Sequence, residues 1–349
     1  MSVEKILEDL VMINTVQDKE NEKIISYLEN FLKEYDFKVI KKDKYLIMES
    51  NFGKEESGVG FIGHTDTVPA LDTWEYDPFK LTRVDNKLYG LGTCDMKGGI
   101  AAFLESIKRI DKTKINKKIS AYFTYDEEIG FSGIKDVLGF ISKNKEVSIP
   151  ENFIIGEPTN NEYLLGSKGL IEYKVIFKGK KVHSSTPEKG KSAIFECINF
   201  INELKEFYDK NIRYDFDEAF VTPYTTFNVG VINGGSEINS VAESTEILFD
   251  FRTISKNERK IVDFVNKLVL DFECEVVILN NIPAFKNKLD FIEKEETCSF
   301  ITEASLVNGN RIILGPGPVN PHEKNEYVTT QSLEKTVDQY LELIYRFCI

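Results

Sequence analysis

The chain contains only three histidines, and each stands beside residues that interrupt regular structure. His64 closes the apolar run GVGFIGH and opens HTD, His183 lies in KVHSSTP, and His322 lies in GPGPVNPHEKNEYV. A lone histidine is usually structural, but imidazole is also the commonest protein ligand for a metal. Loops held at the ends of rigid elements are where binding residues concentrate. Several acids share the same habit. Asp95 stands between the turn YGLGTC and the run MKGG, Glu127 and Glu128 follow the apolar segment KISAYFTY, and Glu157 ends NFIIG and precedes Pro158. Asp66 follows His64 by two residues. On an extended chain the two side chains then point the same way, so the carboxylate can orient the imidazole through its second nitrogen.

Taken singly, each acid reads as a solvated turn residue, and Asp95 also as a helix cap. Gathering four of them with two imidazoles in one crevice is unfavourable without a cation, because like charges repel and raise one another's pKa values. Bound divalent metal reverses that logic. The mixed imidazole and carboxylate set suits zinc, with cobalt or manganese as substitutes. Six candidates exceed one tetrahedral shell. Two ions that share a bridging carboxylate, with one glutamate left over as a base, use them all.

Competing chemistries fit poorly. GLGTCD resembles a dinucleotide-binding glycine loop, but Asp95 replaces its last glycine and would repel a pyrophosphate. No GxSxG elbow and no HExxH helix occurs. Cys94 adjoins Asp95, a neighbour that raises a thiol pKa, so it makes a poor nucleophile.

These residues need a scaffold. Val3, Ile6, Leu7 and Leu10, and then Ile24, Ile25, Leu28, Phe31 and Leu32, recur at helical spacing. Short apolar runs read as strands near Val39 and Leu46, up to Gly63, up to Tyr125 and up to Gly156, with a helix from Met96. Strands alternating with helices predict an α/β sheet covered on both faces, whose strand ends converge on a crevice. The middle changes character: LIEYKVIFKG alternates strictly, placing Ile171, Tyr173, Val175 and Phe177 on one face. A helix over roughly 190–208, the strands TTFNVGVI and TEILFDFRT, the helix NERKIVDFVNKLVLDF and the strand CEVVIL complete a β-α-β-β-α-β order, which is ferredoxin-like. A helix around Phe291–Leu306, a strand RIILG and a helix around Gln331–Tyr345 return to α/β character. The expected fold is therefore an α/β domain covered by helices (1–166 and 281–349), carrying a smaller inserted ferredoxin-like α+β domain (167–280).

A chain of 349 residues exceeds what one core usually supports, which agrees with two domains. With 44 Lys and Arg against 57 Asp and Glu, the net charge of -13 disfavours nucleic acid and anionic membrane as partners. The five cysteines form no CxxC pair, which points to reduced thiols in cytoplasm rather than to disulfides or a cysteine zinc site. No apolar run approaches the roughly 18 residues of a membrane span, and no signal-peptide core is expected.

In order and spacing, GHTDTVPA, YGLGTCDMKGG, TYDEEIG, IGEPT, VHSSTPEKGKSAI and PHEKNEY resemble the zinc-dependent amidohydrolases. That family includes acetylornithine deacetylase, succinyl-diaminopimelate desuccinylase, acetyl-lysine deacetylase and carboxypeptidase G. The resemblance covers nearly the whole chain and implies that the larger part (1–166 and 281–349) is a mixed-sheet catalytic domain and the insert (167–280) a lid and dimerisation domain. It implies that Asp95 bridges two metal ions, that His64 and Glu157 hold one and Glu128 and His322 the other, that Glu127 is the general base, and that Asp66 orients His64. It also implies a cis peptide after Asp95. His183 would reach the active site of a partner protomer and stabilise the oxyanion, so that a homodimer is needed. Asn239 and Arg252 match lid positions that contact the substrate carboxylate in relatives. Where desuccinylases carry an Arg-rich RRGS segment, this chain reads GSKGL with Lys168, closer to acetylornithine deacetylases. Another departure is Ala242, where many relatives have proline. The expected activity is deacylation of an N-acyl amino acid, N-acetylornithine or N-acetyl-lysine first, with a desuccinylase, a di- or tripeptidase or carboxypeptidase, and an inactive metal-stabilised binding module as alternatives.

Overall fold

The computed structural model describes residues 2–144, 147 and 149–349. In chain order the elements are α1 (Val3–Val11), α2 (Asn21–Glu34), β1 (Phe37–Lys42), β2 (Leu46–Ser50), β3 (Glu55–His64), β4 (Thr82–Val84), β5 (Lys87–Tyr89), α3 (Lys97–Arg109), β6 (Lys117–Thr124), α4 (Ser132–Lys143), β7 (Asn152–Ile155) and β8 (Leu164–Ser167). There follow β9 (Gly169–Lys178), α5 (Ala193–Asn211), β10 (Thr226–Gly234), β11 (Ser244–Thr253), α6 (Glu258–Leu268), β12 (Cys274–Ile282), β13 (Phe285–Lys286), β14 (Glu296–Cys298), β15 (Asn310–Ile313), β16 (Tyr327–Thr329) and α7 (Thr330–Cys348). They group into two compact units, Met1–Leu165 with Asn287–Glu295 and Thr302–Ile349, and Gly166–Lys286 with Glu296–Ile301.

The first unit is built on a mixed sheet in the order β1-β2-β6-β3-β7-β15, extended by Leu164 of β8. β3 runs parallel to β6 and β7, and β15 parallel to β7, whereas β1, β2 and β6 pair antiparallel. A strand covered on both faces reads as a continuous apolar run, and the last eight residues of β3 are all buried. The apolar stripes of α1, α2, α3 and α7 enter one core with Phe61, Phe103, Phe123 and Tyr340. Phe61 and Phe103 stack there at 4.2 Å between ring centres. Caps start the outer helices: Ser2 accepts from the Lys5 amide at α1, and Thr329 from the Ser332 amide at α7.

In the second unit the antiparallel order β10-β11-β9-β12 is that of a ferredoxin-like sheet. Ile171, Tyr173, Val175 and Phe177 of β9 are buried with Ile247, Phe249 and Phe251 of β11 against residues of α5 and α6. The two helices meet through Phe207 and Phe264, stacked at 3.8 Å.

The helix expected around Phe291–Leu306 does not form. Glu296–Cys298 is instead the short strand β14, and only Glu303–Ser305 makes a 3-10 turn. Thr302 caps that turn by accepting from the Ala304 amide. Such local side-chain bonds offer the backbone an alternative to a helix, and β14 gains pairing to β8. Among the described residues no helix is long and apolar enough to cross a membrane.

Candidate metal centre

Most candidate residues of the first unit stand at strand ends or in the turns beside them, whereas His322 lies on the loop between β15 and β16. His64 is the last residue of β3, and Glu157 stands two beyond β7. Asp95 precedes α3, and the Asp95–Met96 peptide is cis. The approach of α3 is set by glycine. A Cβ at Gly99 would lie 2.0 Å from the Gly156 carbonyl oxygen, so only hydrogen there lets the helix start lie against the Glu157 turn. After β6 the chain reverses at Asp126, whose φ is 57°. Its carbonyl accepts from Gly130 and Phe131, and its Oδ2 accepts from the Ser132 hydroxyl at 2.5 Å. That closed turn carries Glu127 and Glu128.

Two ligand groups share one carboxylate. The ligand atoms of His64, Asp95 and Glu157 all lie within 4.8 Å of one another, as do those of Asp95, Glu128 and His322. Asp95 Oδ1 is 3.0 Å from His64 Nε2, and its Oδ2 is 3.7 Å from His322 Nε2. Glu157 Oε1 is 3.8 Å from His64 Nε2, and Glu128 Oε2 is 3.0 Å from His322 Nε2. Glu127 belongs to neither group.

The His64 ring is fixed from behind. Its Nδ1 lies 3.1 Å from the Asp66 carbonyl oxygen and 3.5 Å from the Asp66 carboxylate, so the backbone is the nearer orienting group. Asp66 Oδ2 meanwhile accepts from the Glu128 amide at 3.2 Å, tying the two turns together. A proton on Nδ1 leaves Nε2 bare toward Asp95 and Glu157, the tautomer that ligates.

The electrostatics call for a cation. Burial pushes the Glu127 carboxyl well above its usual range, and Glu157, Asp95 and Glu303 add to the rise while His64 opposes it. Burial does the same to Glu157, with Asp95 next. For His64 burial disfavours the charged ring, but hydrogen bonds to Asp66 and Asp95 and the nearby Glu157 and Glu127 together lift it well above 6.5. The hydrogen bond to Glu128 raises His322. Glu128 Oε1 and Glu157 Oε1 are buried without a hydrogen-bond partner. Unsatisfied carboxylate oxygens beside imidazole nitrogens, on a shared bridging acid, fit two divalent ions. Cys94 is buried, and burial pushes its thiol well up, with Glu326 adding to the rise; all five cysteines are free.

Two buried acids had no recognisable spacing in the sequence. Glu303 is fully buried, and burial pushes its carboxyl up to about 7, with His64 and a hydrogen bond to Thr124 opposing the rise. Glu326 is also buried and accepts backbone amides of the segment that leads to Asp95.

The remaining candidates lie in the second unit, at opposite ends of its sheet. Lys168 directly precedes β9 and Arg252 is next to the end of β11, where Thr253 pairs with Gly169. Lys168 is buried and donates to the Tyr224 carbonyl at 2.6 Å; burial, with Arg252 nearby, pulls its ammonium down to about 8. Arg252 is half-buried beside Asp250, at 3.3 Å. His183 and Asn239 belong to loops at the other end. His183 is exposed and bridges to Ser240, and the Asn239 carbonyl accepts from Ser184 at 3.0 Å. The Ser185 amide donates to His183 Nδ1 at 3.2 Å, which leaves Nε2 as the outward donor of the neutral ring.

Residues 60–346 match the model of peptidase family M20/M25/M40. The chain is 30% identical over 370 aligned residues to an acetylornithine deacetylase of Shigella sonnei, covering 95% of this chain and 92% of that protein. Its fold is similar to that of a tripeptidase from Staphylococcus aureus (TM-score 0.77, 23% identity, 99% of this chain and 97% of the other). It is also similar to that of an M20 family metallo-carboxypeptidase from Sulfolobus solfataricus (TM-score 0.80, 18% identity, 99% of each chain). With its mixed-sheet α/β fold and its ordered hydrolase motifs, the chain belongs to peptidase family M20/M25/M40 and is a hydrolase of that family.

Proposed function

We propose that the protein hydrolyses the amide bond of an N-acyl amino acid, with N-acetylornithine the favoured substrate and N-acetyl-lysine next. The observation that carries this is the pair of ligand groups hinged on Asp95 with a separate buried glutamate beside them. The preference for an acetylated amino acid rests on the 30% identity to an acetylornithine deacetylase and on Lys168 standing where an Arg-rich segment would favour a succinyl group.

His64, Asp95 and Glu157 would hold one divalent ion, and Asp95, Glu128 and His322 the other, with zinc favoured and cobalt or manganese as substitutes. When bound, such ions supply Lewis acidity that polarises the scissile carbonyl and makes water nucleophilic at neutral pH. Glu127 takes the proton of the attacking water and delivers it to the leaving amine. Its buried setting favours the protonated form, which suits a base that must become an acid within one turnover. Asp66 keeps His64 in its ligating orientation. Arg252 binds the substrate carboxylate by a bidentate pair, with Lys168 at the same end of the sheet; Asn239, at the His183 end, would reach that carboxylate only from the lid of a partner protomer.

His183 donates to the developing oxyanion. It is separated from Arg252 by the length of β9, ten residues or roughly 30 Å. A substrate of amino-acid size does not span that distance. A homodimer in which His183 comes from the partner's lid resolves the geometry.

A peptidase is the second reading, favoured by the similarity to a tripeptidase, since the scissile bond is an amide in both cases. The test is a panel of N-acetylornithine, N-acetyl-lysine, N-succinyl-diaminopimelate and short peptides, assayed with zinc, cobalt or manganese. Turnover of the acetylated amino acids ahead of the others supports the proposal. Turnover of peptides alone overturns it.

A further inference from the structure

We propose that Glu326 is the positioning residue for the bridging carboxylate, clasping the segment that carries Asp95 to the loop that carries His322. The proposal rests on the two-ion assignment above. Glu326 is 2% exposed. Its Oε1 accepts from the amides of Cys94 at 2.6 Å and Asp95 at 3.0 Å, and its Oε2 from Gly92 at 3.0 Å. Its own carbonyl accepts from Gly90 at 3.1 Å. The whole turn from Gly90 to Asp95 is thus wrapped around one residue. A buried carboxylate that gathers three amides gains what water would otherwise give it, and it fixes the backbone that does the giving.

The clasp matters because Asp95 faces two groups at once, with little tolerance for displacement. His64 and Glu157 need no such tie, since His64 ends a strand buried inside the sheet and Glu157 closely follows another. His322 stands on a loop with φ 61°, its side chain 53% exposed. Two further ties of that loop are at the surface, where Lys324 pairs with Glu75 at 2.6 Å and Asn325 accepts from the Glu75 amide at 2.8 Å, and a part-buried one runs from the Cys94 thiol to the Pro318 carbonyl at 3.3 Å. Four residues beyond His322, Glu326 supplies a buried one. In the group Asp95, Glu128 and His322, two of three ligands ride on clasped segments. In the group His64, Asp95 and Glu157, only one does. Loss of Glu326 therefore weakens the second group more than the first.

The experiment titrates Co2+ into the metal-free protein, followed by calorimetry and visible absorption, for wild type, Glu326→Gln and Glu326→Asp. Glutamine keeps the shape but turns one donor toward amides that need acceptors. The expected result is a weaker-binding event lowered about 10- to 100-fold in Glu326→Gln, with the tighter event changed less than about threefold, as for other groups that orient ligands. Aspartate keeps the charge with a shorter reach and gives an intermediate, equally selective loss; it carries the test if the glutamine variant does not fold. Equal weakening of both events, as a general folding defect would give, overturns the proposal, and so does no change in either. A wild-type protein that binds one ion or none overturns the two-ion assignment itself, and the role of Glu326 with it.

Discussion

Replacing Glu127 by glutamine separates the proposed base from every structural role. The two side chains have nearly the same shape, and Glu127 belongs to neither ligand group, so metal binding should persist. An amide does not accept the proton of the attacking water. General-base loss costs about 100- to 10,000-fold, which at about 1.4 kcal/mol per tenfold is roughly 3–5 kcal/mol of transition-state stabilisation. The loss belongs in kcat, with KM moving by no more than a few fold, because the interaction exists only in the transition state. Stability should move the other way. Burial, Glu157 and Asp95 oppose a charge at Glu127, so the neutral amide raises the melting temperature of the metal-free protein at neutral pH. The assay is steady-state turnover of the best substrate from the panel, with metal content by mass spectrometry and melting by circular dichroism on the same preparations. A kcat within about tenfold of wild type at full metal content refutes the base assignment. Loss of metal together with activity would instead make Glu127 a ligand.

Other predictions concern the buried acids, the glycine contact and the lid. Glu303 has its folded-state pKa raised to about 7 from 4.5. The folded state then holds a proton that the unfolded state releases, so stability falls as pH rises from about 4.5 through about 7. The melting temperature of metal-free protein should decline across that window, and Glu303→Gln should flatten the decline; parallel curves would sink the assignment. Gly99→Ala forces a methyl to within 2.0 Å of the Gly156 carbonyl, and overpacking of this kind costs about 1–3 kcal/mol. Urea unfolding of the metal-free variant should show it, and an unchanged midpoint would contradict the close approach. His183→Ala should lower kcat about 100- to 1,000-fold with metal content unchanged, as for removal of an oxyanion donor; activity near wild type would remove His183 from the reaction.

Much of the scaffold was legible because its periodicities are strong. The alternation of Ile171, Tyr173, Val175 and Phe177 and the uninterrupted apolar run before His64 each carry a burial pattern in one dimension. The candidate metal ligands stood out for a related reason: His64 and Glu157 come directly after such runs. Glu326 and Glu303 did not. A buried acid and a solvated one look alike in NEYV or ITEAS, and what distinguishes Glu326 is three amides more than 230 residues away. The misplaced helix near Phe291–Leu306 has the same origin. The strand pairing that overrides it comes from β8, far away in the chain.

The imidazoles of the two ligand groups differ sharply in access: His64 is fully buried, whereas the His322 side chain is 53% exposed. On the proposed two-ion assignment, the two positions should therefore exchange ions at different rates. The His64 position would retain its ion through purification and mild chelation, and the His322 position would empty and refill with the surrounding supply. Protein prepared without added metal would then be half-loaded, and its activity would follow the free metal concentration rather than the amount of folded chain. In a cell the same asymmetry would make turnover respond to metal availability at one position only.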